Sequence, residues 1–136
     1  MQFLVNPSDG LPIYRQIMRQ VMDAIAGGRL RSGDRMLSHR ELSEQLVIAP
    51  LTVKKAYDEL EALGYIESYR GRGTFVAAHF PKTKQAAVNA QLHESAQALL
   101  TQAYLTGLRL PDVLRIVREA DQSLTNGPTP RRKENT

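Results

Sequence analysis

A capping-box pattern followed by a proline-initiated helix most constrains how this chain folds. Ser38 stands three residues before Glu41, so Ser38 is expected to cap a helix whose N3 residue, Glu41, reaches back to the Ser38 backbone N–H. After a break at residues 47–49, Pro50 is suited to the first position of another helix, because its missing N–H is not needed there. The pattern predicts a short helix, a tight turn and a longer helix.

The longer helix has a clear apolar face, and an earlier helix precedes the pair. Inward residues recur at spacings of three and four, and Gly64 follows as a C′ residue able to adopt positive φ. Apolar residues also recur every four positions over residues 12–26, which predicts the earlier helix. Together these elements form the helix-turn-helix arrangement. The inward residues of the longer helix are Val53, Ala56, Tyr57, Leu60 and Leu63.

Residues 65–76 predict a β-hairpin after the helices. Residues 65–69 alternate apolar and polar side chains, and residues 74–76 form the expected return strand. Between them, Arg70-Gly71-Arg72-Gly73 has the glycines of a sharp turn and places two arginines at its tip. The expected fold class is mainly α with a small β-hairpin wing, which is a winged helix-turn-helix over residues 1–77.

The rest of the chain predicts a two-helix C-terminal dimerisation segment. Residues 78–84 contain Pro81 and predict a linker, residues 85–126 predict two helices, and residues 127–136 predict a disordered tail. The apolar stripes of the two helices either pair with a second subunit or fold back on the first domain. We favour a homodimer, because two short helices cannot bury both stripes between themselves. The candidate dimerisation residues are Leu92, Ala96, Leu99, Ala103, Val113, Leu114 and Val117.

The charge balance by itself is weak evidence for a nucleic-acid partner. The net charge is +4, and residues 1–76 hold ten Lys and Arg against nine Asp and Glu. The half of the chain with the helix-turn-helix pattern is therefore nearly neutral. Since binding to DNA depends on the local field and on phosphate contacts, the argument rests on where the cations lie.

Other classes of protein find little support in the composition. Cysteine is absent, and the three histidines lack metal-ligand spacing. Neither a phosphate-binding loop nor a nucleophile motif is present, so an enzyme is not expected, and no cofactor is implied. With no apolar run long enough to span a membrane and no export signal, a cytoplasmic protein is the simplest interpretation.

In order and spacing, these motifs resemble the amino-terminal domain of the GntR family of bacterial transcription regulators. The resemblance covers roughly residues 11–76 and includes the stretches 12–17, 28–34, 38–42 and 50–57, with the wing sequence Gly71-Arg72-Gly73-Thr74-Phe75-Val76. The two helices that follow look like the YtrA subfamily, whose tails serve for dimerisation. The sequence departs from the family at Leu37, where Pro is usual. It also departs at Ala49, where Asn or Ser usually caps the helix. Losing such a side-chain cap typically lowers the stability by about 1 kcal/mol.

Double-stranded DNA is the partner that the resemblance implies. In a helix-turn-helix, the start of the second helix enters the major groove. The family also places a DNA-contacting arginine at Arg40, where a cation is unfavourable for the helix dipole. Wing arginines suit the negative potential of the minor groove. The candidate DNA-binding residues are Ser38, Arg40, Pro50, Leu51, Thr52, Lys54, Lys55, Arg70, Gly71 and Arg72.

The resemblance implies a homodimeric repressor that binds a palindromic operator, of its own operon or of a transporter operon. Any small-molecule effector, whose identity the sequence does not give, would have to act without a dedicated sensory domain. Two other interpretations stay open: a non-specific architectural nucleic-acid-binding protein, and a winged-helix module for protein interaction. Sequence-indifferent affinity governed by salt would distinguish the first. The arginines of the wing argue against the second.

Overall fold

The computed structural model of the chain describes residues 2–80 and 85–127. Of these, residues 2–80 and 124–127 belong to one unit and residues 85–123 to a second. The predicted linker and the predicted tail therefore lie largely outside the described residues. The elements are α1 (Ile13–Ala26), β1 (Arg35–Met36), α2 (His39–Leu46), α3 (Pro50–Ala62), β2 (Ile66–Tyr69), β3 (Gly73–Val76), α4 (Gln85–Leu105) and α5 (Leu110–Asn126).

The helix ends of the first unit follow the local signals in the sequence. Ser38 caps α2 through the predicted capping box: its Oγ accepts from the Glu41 N–H at 3.1 Å, and a Glu41 carboxylate oxygen accepts from the Ser38 N–H at 3.3 Å. Gly64 adopts the expected positive φ, +86°. Pro12 differs slightly from expectation, because it is the N-cap of α1 rather than its first helical residue. The three predicted helices are confirmed.

The wing is part of a three-stranded antiparallel sheet of order β1-β3-β2. The predicted hairpin forms with Ile66 opposite Val76, and β1 adds a third strand in which Arg35 pairs with Phe75. The sequence pattern predicts only the hairpin, because a strand of two residues is too short to show alternation. The added strand joins the loop before α2 to the base of the wing.

The core of the first unit lies where the three helices meet the sheet. Seven side chains are almost fully buried there, and each stabilises the fold by about 1.5–3 kcal/mol relative to an exposed position. Tyr57 is only 4% exposed, which confirms its interpretation as a core residue. The seven side chains are Ile17 and Val21 of α1, Leu42 of α2, Val53 and Leu60 of α3, Ile66 of β2 and Val76 of β3.

Two glutamine side chains of α1 hold an N-terminal arm, residues 2–11, for which the sequence shows no regular pattern. Gln16 is buried, and its amide accepts from the Asn6 N–H at 2.9 Å and donates to the Asn6 carbonyl at 2.8 Å. Gln20 makes the same pair of hydrogen bonds to the backbone of Leu4, at 2.8 and 2.6 Å. The arm therefore runs along α1 and brings Phe3 against the core.

Val47, the C-cap of α2, has an unusual backbone conformation. Its φ of 54° and ψ of 51° lie in the left-handed region, which a β-branched residue rarely adopts. The side chain is 91% exposed, so packing does not compensate for the strain. The strain belongs to the tight turn that joins α2 to α3.

Replacing Val47 with glycine is expected to raise the free energy of unfolding by about 1 kcal/mol, because glycine relieves a strain of about 1–2 kcal/mol and gives back part of it as chain entropy. Urea unfolding followed by circular dichroism measures the change. Val47→Asn should give a smaller gain, and Val47→Ala, which keeps a Cβ, the smallest. A glycine variant less stable than the parent would contradict this account.

Candidate nucleic-acid interface

The start of α3 forms the leading edge of the helix-turn-helix. Pro50 is the first helical residue, and Ala49 before it makes no side-chain capping bond. Leu51 is 78% exposed, and Thr52 is half-buried. Because the N-cap side chain does not satisfy this helix end, its backbone N–H groups and its dipole are suited to an anion such as phosphate.

The two lysines of α3 each have a partner within the protein. Lys54 Nζ lies 2.7 Å from a carboxylate oxygen of Asp58, one turn further along the helix, and both side chains are more than half exposed. Lys55 Nζ lies 4.2 Å from the ring centroid of Tyr14 on α1. An exposed ion pair contributes only about 0.3–0.5 kcal/mol, so Lys54 can exchange Asp58 for a phosphate at small cost.

Arg40 occupies the first turn of α2, beside the capping box. Its side chain is exposed, and it has no hydrogen-bond or ion-pair partner among the described residues. Ser38 next to it is half-buried, and its hydroxyl oxygen is already used to cap the helix. Arg40 thus combines an unfavourable position near a helix N-terminus with a guanidinium free to bind an external acceptor.

The tip of the wing presents two arginines on a tight turn. The Arg72 N–H donates to the Tyr69 carbonyl at 3.0 Å, and Gly71 adopts a φ of +79°, which the third position of a type II turn requires. Arg70 and Arg72 are both exposed. The Tyr69 hydroxyl donates to a Glu67 carboxylate oxygen at 2.6 Å, so this carboxylate is engaged within the wing.

A recess of about 580 Å³ lies between α3 and the wing. It brings together the candidate DNA-binding residues Lys54, Arg70 and Arg72 with His39 of α2 and with Arg35 of β1, which the sequence analysis missed. Four Lys and Arg side chains line it against two carboxylates, so the local field is positive although the whole half-chain is nearly neutral. Only the pairing of β1 with β3 of the wing places Arg35 beside the recess.

Tyr57 joins the two helices of the helix-turn-helix through its hydroxyl. The hydroxyl donates to the Leu37 carbonyl at 2.7 Å, across the loop that leads into α2. Burial, with a smaller contribution from the charge of Glu41, raises the pKa of Tyr57 well above its ordinary value of 10. The hydroxyl therefore stays protonated, and it remains a donor throughout the physiological range.

Tyr57→Phe is expected to lower the free energy of unfolding by about 1–2 kcal/mol, because the Leu37 carbonyl loses its partner. The folded protein raises the pKa of this hydroxyl above its value of 10 in the unfolded chain. The hydroxyl's contribution to the free energy of unfolding is therefore complete below pH 10 and is lost as the pH rises above 10. Urea unfolding at pH 7 and at pH 11 tests both points. A variant whose stability falls with alkaline pH as steeply as that of the parent would show that Tyr57 does not cause the loss.

The seven predicted dimerisation residues of α4 and α5 differ in how much of each side chain is exposed. Ala103 and Val113 are 6% and 3% exposed within a single chain, so they offer little surface to a partner. Leu99 is half-buried. The remaining four are exposed, and Leu105, which was not among the seven, is 83% exposed. The four exposed residues are Leu92, Ala96, Leu114 and Val117.

Among residues 2–80 and 85–127, no group of three or more His, Asp or Glu side chains is placed to hold a metal ion. Within the same ranges, none of the helices is both long enough and apolar enough to cross a bilayer.

A helix-turn-helix with an exposed second-helix start, a free arginine on the first helix and an arginine-tipped wing defines the class of winged-helix DNA-binding proteins. The comparisons agree with this class. The profile described as "Bacterial regulatory proteins, gntR family" matches residues 13–76. The HTH-type transcriptional repressor YtrA of Bacillus subtilis (strain 168) is 32% identical over 90% of this chain and 95% of its own length.

Solved structures extend the likeness beyond the first unit. A transcriptional antiterminator from Listeria monocytogenes EGD-e matches with a TM-score of 0.78 and 27% identity, over 97% of this chain and 98% of that one. The AraR DNA-binding domain in complex with operator ORX1 matches with a TM-score of 0.50 and 28% identity, over 57% of this chain and 96% of that one. The chain belongs to the GntR family of bacterial regulatory proteins, and it is a DNA-binding transcription regulator rather than an enzyme.

Proposed function

We propose that the protein is a homodimeric repressor that binds a palindromic operator and blocks a promoter. The exposed cations on one face of the first unit carry the proposal, since the recess between α3 and the wing is positive in a nearly neutral half-chain. The AraR domain, which is 28% identical, is solved in complex with an operator, and the Bacillus subtilis relative is named a repressor. Both observations support operator binding by this chain.

Each element has a distinct role in the proposed complex. Leu51 and Thr52 at the start of α3 enter the major groove, where a methyl group and a hydroxyl can read base edges. Lys54 leaves Asp58 for a phosphate or a guanine acceptor. The remaining contacts are Arg40 on base or phosphate, the wing arginines Arg70 and Arg72 around Gly71 in the minor groove, and backbone phosphate contacts near Ser38, Pro50 and Lys55.

We propose that a second copy of the chain packs against α4 and α5 and buries their apolar surface. Leu92 of α4 and Leu114 and Val117 of α5 are 60%, 47% and 47% exposed. Burying such surface favours association. A two-fold dimer would also present two recognition helices to two half-sites, and this matches a palindromic operator.

Fluorescence anisotropy with the DNA upstream of the protein's own gene tests the proposal, with random competitor DNA as the reference. We expect a preference of about 10³ or more for the specific DNA at physiological salt. Selection of binding sites from a random library should return an inverted repeat. Equal affinity for all sequences would support a non-specific architectural binder, and no binding to any DNA would support a protein-interaction module; either result would overturn the proposal.

A further inference from the structure

A half-enclosed cavity of about 450 Å³ lies in the first unit, beside the helix-turn-helix. Its volume falls in the range of about 300–1,000 Å³ that is typical of small-molecule sites. Apolar side chains make up most of the wall, and Arg35 and Glu41 are its charged members. The apolar members are Phe3, Leu30, Met36, Leu37 and Tyr57.

Arg35 indicates the chemistry that the cavity accepts. Its side chain is exposed and has no hydrogen-bond or ion-pair partner among the described residues. The carboxylate of Glu41 is already engaged with the Ser38 backbone and stands beside Tyr57. An unpaired guanidinium next to an apolar, partly aromatic wall complements a carboxylate carried on an aromatic ring.

The walls of the cavity connect an occupant to both helices of the DNA-reading motif. Leu37 directly precedes the Ser38 cap of α2, and its carbonyl accepts the hydrogen bond from Tyr57 of α3. Arg35 also lines the positive recess between α3 and the wing. There its side chain lies against Gly73, where a Cβ added to the glycine would come within 3.5 Å of the Arg35 Nε. One guanidinium thus borders both the cavity and the face proposed to meet DNA.

We propose that this cavity is an effector site for a small aromatic carboxylate, which weakens operator binding by neutralising Arg35 and pressing on the Leu37 loop. The inference rests on the proposed repressor function for its consequence, although binding itself can be measured without DNA. The arm that carries Phe3 forms one wall of the cavity.

Binding is tested by NMR on the full chain labelled with ¹⁵N, with indole-3-acetate as the probe and indole-3-acetamide as its uncharged counterpart. We expect saturable shifts in the amide signals of Met36, Leu37 and Tyr57, with weaker binding of the amide by about tenfold. Arg35→Gln should reduce the affinity for the acid to that for the amide. The matched control Arg31→Gln removes a nearby exposed arginine outside the cavity and should leave the affinity unchanged.

A second variant tests whether the probe needs the volume of the cavity as well as the charge of Arg35. Leu37 is 38% exposed at the cavity wall, so Leu37→Trp can fill the cavity while Arg35 stays in place. This variant should bind neither probe. The inference would be overturned if millimolar indole-3-acetate did not shift these signals, or if saturable shifts were confined to another part of the chain. It would also be overturned if the Arg35→Gln variant bound indole-3-acetate as tightly as the parent protein does.

The effect on DNA is measured with the operator found by site selection. Saturating indole-3-acetate should raise the Kd for the operator at least about fivefold, and the operator should weaken binding of the acid by the same factor, because coupling between two sites is reciprocal. An operator affinity that the bound acid does not change would refute the effector role and leave the repressor function standing. Absence of any operator preference without the acid would instead refute the repressor function.

Discussion

Arg40→Ala is expected to weaken operator binding by about 1–3 kcal/mol, roughly 5- to 150-fold in Kd, and to relax the preference at one base position in each half-site. Arg40 is exposed in the first turn of α2 and lacks a partner among the described residues. A cation there opposes the helix dipole, so its removal should leave the stability unchanged or raise it by a few tenths of a kcal/mol. Fluorescence anisotropy and urea unfolding measure the two effects.

Lower operator affinity without lower stability would distinguish the loss of a DNA contact from damage to the fold. A substitution that damaged α2 would lower both the stability and the affinity, whereas loss of a DNA contact lowers the affinity alone. Arg19→Ala is the matched control, because Arg19 is an exposed arginine of α1, outside the helix-turn-helix pair, and does not line the recess. If Arg40→Ala bound the operator as the parent does, or if Arg19→Ala lost as much affinity, Arg40 would have no direct role.

Leu114→Asp and Val117→Asp are each expected to convert the protein to a monomer and to lower its affinity for the full palindrome by about 10²–10⁴-fold. Both residues are 47% exposed on α5, and a carboxylate in an apolar interface between subunits would be buried without a partner. The loss in affinity is large because the second half-site no longer binds as part of the same complex. Sedimentation velocity and anisotropy with full and half operators test this.

The control introduces the same charge on the other side of the helix. Ser123 lies about half a turn around α5 from Leu114, and Ser123→Asp should remain dimeric. Circular dichroism checks that each variant keeps its helical content, as expected for substitutions at half-exposed positions. Folded Asp variants that stay dimeric would contradict the proposed interface, and a parent protein that sediments as a monomer would contradict the dimer itself.

Much of the candidate interface follows from local sequence signals. The capping box at Ser38, the proline start of α3 and the glycine turn of the wing each depend on residues a few positions apart, and all three form as predicted. Arg40 and the wing arginines are exposed for the same reason, since helix periodicity and turn position determine which way they point. The extra strand β1 was missed because its only signal is pairing with β3, forty residues away in sequence.

The partners of the charged side chains depend on tertiary contacts instead. Lys55 has the same sequence context as Lys54, yet the ring of Tyr14 lies beside it only because α1 packs against α3. Ala103 belongs to the same apolar stripe of α4 as Leu92, and Val113 to the same stripe of α5 as Leu114, yet only the packed chain shows that Ala103 and Val113 are already covered. Sequence periodicity identifies a face, whereas burial depends on what packs against that face.

The sequence by itself therefore determined the helix-turn-helix, its capping box and its arginine-tipped wing, because each is encoded by residues within one or two helical turns. The tertiary structure alone decided that Arg35 lines both the recess beside the wing and the cavity beside Tyr57. It also decided that Lys55 lies against the ring of Tyr14 on α1. These features join segments far apart in the chain, and such contacts form only when the core brings α1, α3 and the sheet together.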